Sequence, residues 1–500
     1  MEEEIKAVAE EILRRAEEEG FVRIFAHYDA DGLTSAGILC NAFLRRGISF
    51  HTSIIPKLSP QLVKALGAEE GLILLCDMGT AQLDLVLELP KDVVIIDHHA
   101  PPPPPETEDA DDASAVLSAF SPSVSFLRKK AVAIFSEREA KTEGADAGGR
   151  EEHSILLLNP VAVTGKDEDA FCAASLAYLV AKHLGANEDL AGLAIAGALG
   201  DRQELSEGIN RKILDEALDA GVVSARQGLK LYGENLKDAL LFSTDPYTEL
   251  AGSPESVEAF CKEMNVPAER KISELSEEEQ RRIADALVAL LHTPENEGEK
   301  GAAGLYADAL FGTSYVLNEE VIPSAYEFMR VVDACGRFGK GGIGLALCLR
   351  DESMLDEARR LHRKFQTKLV LELRRVRESR SSAASAVKEM PNLYYFFVRE
   401  RGITGVLAGI LARYIFVDKP VVVLNTIGKP ENETKISARC GTLLKGVVDL
   451  STAVSVAALK VGGFGGGHPS AAGASIPAGT EKAFIEEVNR IVGEQRKSLT

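Results

Sequence analysis

Short apolar runs alternate with stretches of helical spacing along the first two hundred residues. Helical spacing occupies residues 34–47 and a segment near 60–67. The strand-like runs are FVRIFAH (21–27), FHTSIIP (50–56), GLILLCD (71–77), KDVVIID (91–97) and HSILLLNP (153–160). Such alternation predicts a parallel α/β sheet covered by helices on both faces. In sheets of this kind, ligands bind at the carboxyl ends of the strands.

The pattern changes after about residue 225. Residues 225–330 are mostly helical in pattern and carry no chemical motif, and 331–352 are strand-like and punctuated by glycine. A charged amphipathic helix over 356–379 precedes a last α/β stretch with the strands LYYFFV and PVVVLN. The predicted organisation is a first α/β domain at 1–224, an inserted helical module at 225–330, a segment at 331–385 that completes the first domain and supplies the connecting helix, and a smaller α/β domain at 386–500.

One segment interrupts the first domain. Residues 101–150 open with five prolines and continue through acidic and glycine-rich sequence. Chains of this composition rarely bury enough apolar surface to order themselves. We therefore predict a flexible surface insertion, within which AVLSAF and KKAVAIFSE are candidates for short elements.

Composition narrows the class of protein. A chain of 500 residues exceeds one ordinary core, and its net charge of −20 argues against non-specific coating of nucleic acid, although not against a local basic groove. Seven cysteines without a C-x-x-C motif indicate reduced thiols. No segment approaches the roughly 20 apolar residues of a membrane span. The acidic N-terminus, with Ile5, Val8, Ile12 and Leu13 on one face, predicts a surface helix and a cytoplasmic protein with no membrane partner.

The first candidate for chemistry is AHYDADGLTS (26–35). The H-x-D-x-D spacing on an extended segment lets His27, Asp29 and Asp31 converge on one side. One imidazole and two carboxylates suit Mn²⁺ or Mg²⁺. The alternative is an Asp-rich turn in which Asp31 or Thr34 caps the next helix.

Three further segments place acidic or imidazole groups where elements end. Asp77 follows an apolar strand, Asp201 ends the helical stretch GALGD, and Asp97, His98 and His99 follow KDVVII. Each alone is typical of a polar turn or a cap. Together they supply six or seven ligands at one edge of a sheet, enough for two cations that share a carboxylate. Two such cations form a clamp suited to phosphoester hydrolysis.

These motifs resemble a known family. HYDADG, the aspartate of CDMGT, DHHA and the aspartate of GALGDR resemble, in order, the four motifs of the DHH phosphoesterase superfamily. VDACGRFGKGGIGLALCL is similar to the N-A-A-G-R-L segment of the RecJ nuclease branch, and ISARCG with GGFGGGHPSAAGASI to the substrate-binding DHH-associated domain. The overall resemblance is to archaeal RecJ-like nucleases, including the GINS-associated nuclease. The inserted module of that archaeal group is similar to the segment LLFSTDPYTELAGSPESVEAF of this chain.

The resemblance implies a fold and a set of roles. The fold is an α/β parallel-sheet DHH catalytic domain with a helical insertion, joined by a long helix to a smaller α/β DHH-associated domain. The implied ligands are His27, Asp29 and Asp77 for a first metal, and Asp31, Asp77, His98 and Asp201 for a second. Asp97 would orient a neighbouring histidine and His99 would face the scissile phosphate. The implied substrate contacts are Arg337, Ser437, Arg439, Gly466, Gly467 and His468.

The resemblance also implies an activity. It is that of an exonuclease with two divalent cations, Mn²⁺ or Mg²⁺, which hydrolyses single-stranded DNA, or RNA, to mononucleotides in DNA replication or repair. One alternative is a scaffold that binds GINS in the replicative helicase assembly, because members of the superfamily can lose catalysis and keep partner binding. Another is a phosphodiesterase for short oligonucleotides or cyclic dinucleotides.

Overall fold

The computed structural model describes residues 2–67, 70–99, 124–129, 132–137, 154–164, 170–291, 310–379, 386–427 and 432–497. The chain divides into two compact units. The first comprises Met1–Arg226 and Ser314–His362, and the second Gln227–Thr313 and Arg363–Thr500. The finer boundaries expected at 224, 330 and 385 stay a prediction.

The first unit contains a seven-stranded sheet in the order β2-β1-β3-β4-β7-β6-β5. Its strands are β1 (Val22–His27), β2 (Phe50–Ile55), β3 (Leu72–Cys76), β4 (Val93–Ile96), β5 (Val124–Lys129), β6 (Val132–Glu137) and β7 (Ser154–Leu158). The five strands β2, β1, β3, β4 and β7 run parallel, whereas β6 and β5 are antiparallel. The parallel α/β sheet predicted from the sequence is therefore confirmed.

Strands β5 and β6 fall inside the predicted insertion at 101–150. β6 covers most of the segment KKAVAIFSE, which was a candidate for a short element. The candidate AVLSAF and the other residues of 101–150 lie outside the described residues. Flexibility of that segment stays a prediction.

Helices cover both faces of this sheet. They are α1 (Glu2–Glu19), α2 (Ala30–Arg46), α3 (Pro60–Leu66), α4 (Leu83–Val86), α5 (Pro160–Thr164), α6 (Ala173–Leu184), α7 (Ala191–Gly200) and α8 (Gly208–Asp219). Ile24 and Leu74 belong to the core cluster shared with α2, α6 and α7. The residues that alternate with these along the strands, Phe25 and Ile73 among them, belong to a second cluster with α3 and α4. This alternation follows from the period of two along a strand.

The structure has the amphipathic N-terminal helix and the free cysteines that the sequence predicts. Ile5, Val8 and Ile12 of α1 are buried in the core, as the amphipathic pattern predicts. All seven cysteines are free, and only Cys440 among them is not fully buried. None of the helices in the described part of the chain is both long and apolar enough to cross a membrane.

The strand-like interpretation of 331–352 is wrong. This segment forms most of α12 (Ala325–Arg337) and all of α13 (Gly341–Cys348), which pack on each other and on α2. Buried Val331, Val332 and Cys335 follow helical spacing. Glycines at the helix contacts disguise the pattern because they replace the apolar residues that usually mark a buried face. A Cβ on Gly336 would lie 1.6 Å from the Tyr28 carbonyl oxygen.

A buried ion pair in the first unit gives a prediction on pH. Arg350 donates to Glu320 at 3.0 Å and to Asp189 at 2.7 Å. Glu320 is only 6% exposed, and burial raises its pKa from 4.5 to about 7. Because the folded-state pKa is the higher one, this glutamate's contribution to stability is complete below pH 4.5 and lost as pH rises through about 7.

We expect Glu320→Gln to remove this dependence. Relative to the variant, the wild type should lose about 3 kcal/mol of unfolding free energy between pH 4.5 and pH 9. Denaturant titrations at a series of pH values measure the difference. Glu88→Gln makes the same change at an exposed glutamate elsewhere in the first unit and should leave the wild-type profile intact. A profile for Glu320→Gln parallel to that of the wild type would contradict the prediction.

The second unit contains a six-stranded sheet in the order β10-β11-β12-β13-β15-β14. Its strands are β10 (Val387–Glu389), β11 (Tyr394–Val398), β12 (Val421–Asn425), β13 (Glu433–Arg439), β14 (Phe464–His468) and β15 (Ala471–Pro477). Helix α15 (Thr404–Tyr414) packs on β12 and β13, whereas α16 (Leu450–Lys460) packs on β14 and β15 and contacts α17 (Glu481–Lys497). The expected strands LYYFFV and PVVVLN correspond to β11 and β12.

The second unit also contains a helical part. Its helices are α9 (Leu236–Leu241), α10 (Pro254–Glu263) and α11 (Glu277–Leu291), which share a core that includes Val257 and Leu287. The ribbon of β8 (Val223–Leu229) and β9 (Phe311–Leu317) flanks this part in the sequence. The long helix predicted over 356–379 is α14 (Leu355–Ser379).

Candidate metal centre

The end of β1 and the start of α2 deliver the first three candidate ligands. His27 is the last residue of β1, and its Nδ1 lies 2.9 Å from an oxygen of Asp29. Asp29 is also the N-cap of α2, where it accepts from the Gly32 amide at 3.1 Å. Capping therefore does occur here, but through Asp29 and not through Asp31 or Thr34. Asp31 lies in the first turn of α2 and is buried.

Asp77, directly after β3, lies between two histidines. One carboxylate oxygen is 3.4 Å from His27 Nδ1 and the other is 3.4 Å from His98 Nε2. Its backbone has a φ of 58°, a left-handed conformation that is unfavourable for a residue with a side chain. The Asp77 amide donates to the Ile96 carbonyl at 2.9 Å, which holds this turn against β4.

His98 joins this group from the end of β4. Its Nε2 lies 2.9 Å from an Asp201 oxygen and 3.7 Å from an Asp31 oxygen. Asp201 is the C-cap of α7. Four separate segments thus meet here. Three of them belong to the ends of parallel strands, which the parallel order brings to one edge of the sheet, and the fourth is the end of α7.

The ligand atoms form overlapping groups whose members lie within 4.8 Å of one another. The groups are His27, Asp29 and Asp77; Asp31, Asp77, His98 and Asp201; and Asp77, His98 and His99. The first two contain the same side chains as the two metal sites that the resemblance implies. Asp77 belongs to every group, which suits a bridging carboxylate. The individual metal-binding roles stay a prediction.

Asp97 is the anchor of the segment that carries both histidines. One oxygen is bonded to His99 Nδ1 at 2.8 Å and accepts from the His98 amide at 2.8 Å. The other accepts from the Thr80 amide at 3.0 Å. Burial raises the pKa of Asp97, but the His99 imidazole outweighs burial and holds that pKa below its ordinary value. Asp97 therefore stays ionised and fixes the His99 ring.

Asn159 also supports this segment, although it was not among the predicted residues. It follows β7 and is fully buried. Its amide nitrogen donates to the His99 carbonyl and to the Thr80 hydroxyl, both at 2.9 Å. Its carbonyl oxygen accepts from the Ala162 amide at 3.1 Å. The signal in the sequence is its place at the end of the run HSILLLNP, directly after β7, where the neighbouring strands also end in polar residues.

We expect Asn159→Ala to lower the free energy of unfolding by about 2 kcal/mol, because three buried partners lose their hydrogen bonds. It should also weaken Mn²⁺ binding about 10- to 100-fold, since the His98–His99 segment loses its support. Calorimetric titration with Mn²⁺ measures the second effect. Asn210→Ala is the matched control, because Asn210 is buried and bonded to Ser175 and Glu204. Equal Mn²⁺ affinities in both variants would contradict the positioning role.

Asp31 is held by the N-terminus of α6. Its two oxygens accept from the Ala173 and Ala174 amides, each at 2.8 Å. Amides at a helix N-terminus stabilise a negative charge. A Cβ on Gly197 of α7 would lie 2.9 Å from an Asp31 oxygen, so this glycine provides room for the carboxylate.

The charges in the cluster match those of a cation site. Burial and the Asp77 and Asp201 carboxylates raise the pKa of Asp31, and burial and Asp29 raise that of Asp77. Burial lowers the pKa of His98, but the neighbouring carboxylates outweigh it and raise that pKa. A cation between these groups would relieve the repulsion among the carboxylates.

Buried polar atoms without hydrogen bonds also indicate a metal site. Among the described residues, the buried atoms His27 Nδ1, Asp77 Oδ1 and His98 Nε2 make no hydrogen bond of normal geometry, although both nitrogens lie 2.9 Å from a carboxylate oxygen. Buried polar atoms usually have one, and metal coordination is a common reason for an exception. The donor set of imidazole nitrogens and carboxylate oxygens suits Mn²⁺ or Mg²⁺.

Arg337 lies beside the first ligand segment. Its guanidinium is 5.9 Å from the centre of the Tyr28 ring and is bonded to Asp333. Burial lowers the pKa of Arg337, but Asp333 and Tyr28 outweigh it and raise that pKa. The structure therefore brings the arginine next to the residue between His27 and Asp29.

The other predicted substrate contacts lie on the sheet of the second unit. Ser437 and Arg439 are on β13, and Gly466, Gly467 and His468 are on β14, with β15 between the two strands. Gly467 has a φ of 139°, and a Cβ there would lie 2.5 Å from the Ala471 carbonyl oxygen. The glycine at this position is therefore required by the backbone. Contacts with a substrate stay a prediction.

Comparisons with known proteins agree with these features. The DHH family N-terminal domain matches residues 21–143, and the DHHA1 domain matches residues 391–494. An uncharacterized protein of Methanocaldococcus jannaschii is 27% identical over 505 aligned positions, which cover 99% of this chain and 98% of that protein.

Two solved structures share the fold. RecJ from Thermus thermophilus in complex with Mn²⁺ superposes with a TM-score of 0.54 at 16% identity. The match covers 98% of this chain but only 55% of RecJ, so the chain spans about half the length of that protein. CDC45 from Entamoeba histolytica superposes with a TM-score of 0.58 at 11% identity, covering 98% of this chain and 99% of CDC45.

Proposed function

Because the chain is a DHH-superfamily protein with a RecJ-like fold, we propose that it is a metal-dependent exonuclease for single-stranded nucleic acid. The substrate is single-stranded DNA, or RNA, and the products are mononucleotides. We assign the activity to DNA replication or repair.

One observation carries the proposal. Every ligand position of the two implied metal sites is filled, and within each group the ligand atoms lie within 4.8 Å of one another. Asp77 is shared between the two groups. The three buried ligand atoms without hydrogen bonds support metal binding at this place.

The candidate ligands fall into two sets, one for each cation. His27, Asp29 and Asp77 would hold one cation, and Asp31, Asp77, His98 and Asp201 the other. Two bound cations, Mn²⁺ or Mg²⁺, would activate water and neutralise the charge that develops on the phosphate oxygens.

His99 supplies the group that faces the phosphate. Its side chain is 40% exposed, whereas that of Asp97 is fully buried. Asp97 is bonded to His99 Nδ1 at 2.8 Å, and we assign the phosphate contact to the other ring nitrogen, Nε2. Arg337 holds a second phosphate of the strand, and Ser437, Arg439, Gly466, Gly467 and His468 bind the strand on the second unit.

End-labelled single-stranded DNA incubated with Mn²⁺, Mg²⁺ or a chelator tests the proposal. We expect mononucleotide release with either metal and none with the chelator. Labels at the 5′ and 3′ ends report the polarity of digestion, and a matched RNA strand reports the preference for DNA. Persistence of the intact strand with both metals would contradict the proposal.

The CDC45 fold supports a second candidate, a scaffold that binds GINS in a replicative helicase assembly. Size-exclusion chromatography of the chain with GINS tests it. Co-elution together with an inactive metal centre would favour the scaffold, and co-elution together with hydrolysis would assign both roles. The third candidate, a phosphodiesterase for short substrates, would cleave a dinucleotide faster than a long strand.

A further inference from the structure

The sheet of the second unit has a face over β13, β15 and β14 that we call the open face. The strand register places three rows of side chains on it. The rows are Lys435, Ser437 and Arg439 on β13; Ala471, Gly473 and Ser475 on β15; and Phe464, Gly466 and His468 on β14. Glu433, at the end of the first row, accepts a hydrogen bond from Ser475.

The helices leave the β14 side of this face accessible and cover part of its β13 side. On the opposite face, a Cβ on Gly465 would lie 3.1 Å from Val454 of α16, so α16 covers β14 from that side. On the open face, α15 approaches β13, where a Cβ on Gly405 would lie 3.3 Å from Arg439 and 3.6 Å from Ser437. A Cβ on Gly466 would have no described atom within 4 Å.

Phe464 is the one large aromatic side chain in these three rows. It is 55% exposed at the start of β14, the outermost strand of the sheet. Residues alternate along a strand, so Phe464, Gly466 and His468 point to the same side. Gly466 adds no side chain between the two rings, which are separated by about 13 Å along the strand.

We propose that Phe464 stacks on a base of a single strand bound across the open face. An unpaired base offers a ring face, and exposed aromatics on a sheet are a recurrent platform for such bases. Glycine at 466 lets the strand approach the backbone between Phe464 and His468. Phe464 is a positioning residue for the substrate and not part of the metal centre.

The charge of the face matches this occupant. Lys435 and Arg439 provide two cationic groups in the β13 row, against the one carboxylate of Glu433 at its end, while the whole chain has a net charge of −20. A polyanion is repelled by most of the surface and attracted to a local cationic patch. The phosphates therefore lie toward β13 and the base over Phe464.

The inference rests on the proposed function, so the test measures binding separately from hydrolysis. The full chain is titrated in EDTA with a fluorescent single strand of about twelve nucleotides, and binding is read by anisotropy. Phe464→Ala should weaken binding about 5- to 100-fold, and Phe464→Tyr should restore it. The matched control is Phe397→Ala, because Phe397 is 44% exposed and lies on the opposite face of the same sheet.

An abasic strand of the same length separates stacking from a loss of structure. Wild-type affinity should fall when the bases are removed, whereas Phe464→Ala should be almost insensitive to their removal. Equal losses on abasic and normal strands, or a matching loss in Phe397→Ala, would overturn the proposal. The proposal would also be overturned if sedimentation showed that two copies of the chain form a dimer and that Phe464→Ala dissociates it. Hydrolysis of bis(p-nitrophenyl) phosphate by the wild type with Mn²⁺ tests the metal centre independently, so that either idea can fail alone.

Discussion

Asp77→Asn is expected to reduce metal-dependent hydrolysis of single-stranded DNA by at least about a thousand-fold. Asp77 belongs to every group of candidate ligands and lies 3.4 Å from both His27 and His98. An amide has nearly the same size but carries no charge, so both cations would lose a shared carboxylate. Single-turnover digestion of a labelled strand measures the loss.

The stability of the same variant provides a second measurement. Burial and Asp29 raise the pKa of Asp77, which means that the folded protein disfavours the ionised form. Without metal, Asp77→Asn should therefore be at least as stable as the wild type. Saturating Mn²⁺ should stabilise the wild type by roughly 3 kcal/mol per site at a hundredfold excess over Kd, and the variant much less.

The control for Asp77→Asn is Asp84→Asn, which makes the same change at an exposed residue of α4, seven positions along the chain. It should retain both the hydrolysis rate and the stabilisation by Mn²⁺. If Asp77→Asn digested the strand at a wild-type rate, Asp77 could not bridge two cations in the reaction.

Gly336→Ala is expected to lower the free energy of unfolding by more than about 3 kcal/mol. The added Cβ would lie 1.6 Å from the Tyr28 carbonyl oxygen and 2.7 Å from its carbonyl carbon. Backbone must therefore move, and Tyr28 connects the candidate ligands His27 and Asp29. Mn²⁺ affinity should fall together with stability. Chemical denaturation and calorimetric titration measure the two effects.

Gly342→Ala is the matched control for this substitution. Gly342 lies in the first turn of α13, and a Cβ there would have no described atom within 4 Å. Alanine favours helix over glycine by up to about 1 kcal/mol, so this variant should be as stable as the wild type or slightly more stable. Equal stabilities for the alanine variants at 336 and 342 would show that α12 can shift away from Tyr28 at little cost.

Local pattern was sufficient to predict much of the first unit. Apolar runs of four to seven residues identify β1, β3 and β4, and parallel order brings their ends to one edge. That is why His27, Asp77 and His98 could be grouped before their distances were known. The metal-binding roles themselves were implied by the family resemblance, since a lone aspartate after a strand is usually a turn residue.

Other features depend on contacts that are distant in the sequence. In the sequence, Gly336 is typical of a strand or a turn. The contact that requires a glycine there is with Tyr28, about three hundred positions earlier in the chain. Asn159 resembles an ordinary turn asparagine until its bonds to His99 and Thr80 are known. The open face was hidden as well, because GGFGGGH carries no periodic pattern and the position of α16 decides which side is covered.

The burial of the thiols gives the protein a natural attachment point for a probe. Six cysteines are buried, whereas Cys440, directly after β13, is only partly buried. Burial raises the pKa of the Cys440 thiol, so its accessibility, and not an activated thiolate, is what distinguishes it. Cys440 directly follows Arg439, one of the cationic residues of the open face. A maleimide dye should therefore attach mainly at this position in the native chain. Its emission would follow the arrival of a nucleic-acid strand in real time, with no engineered cysteine.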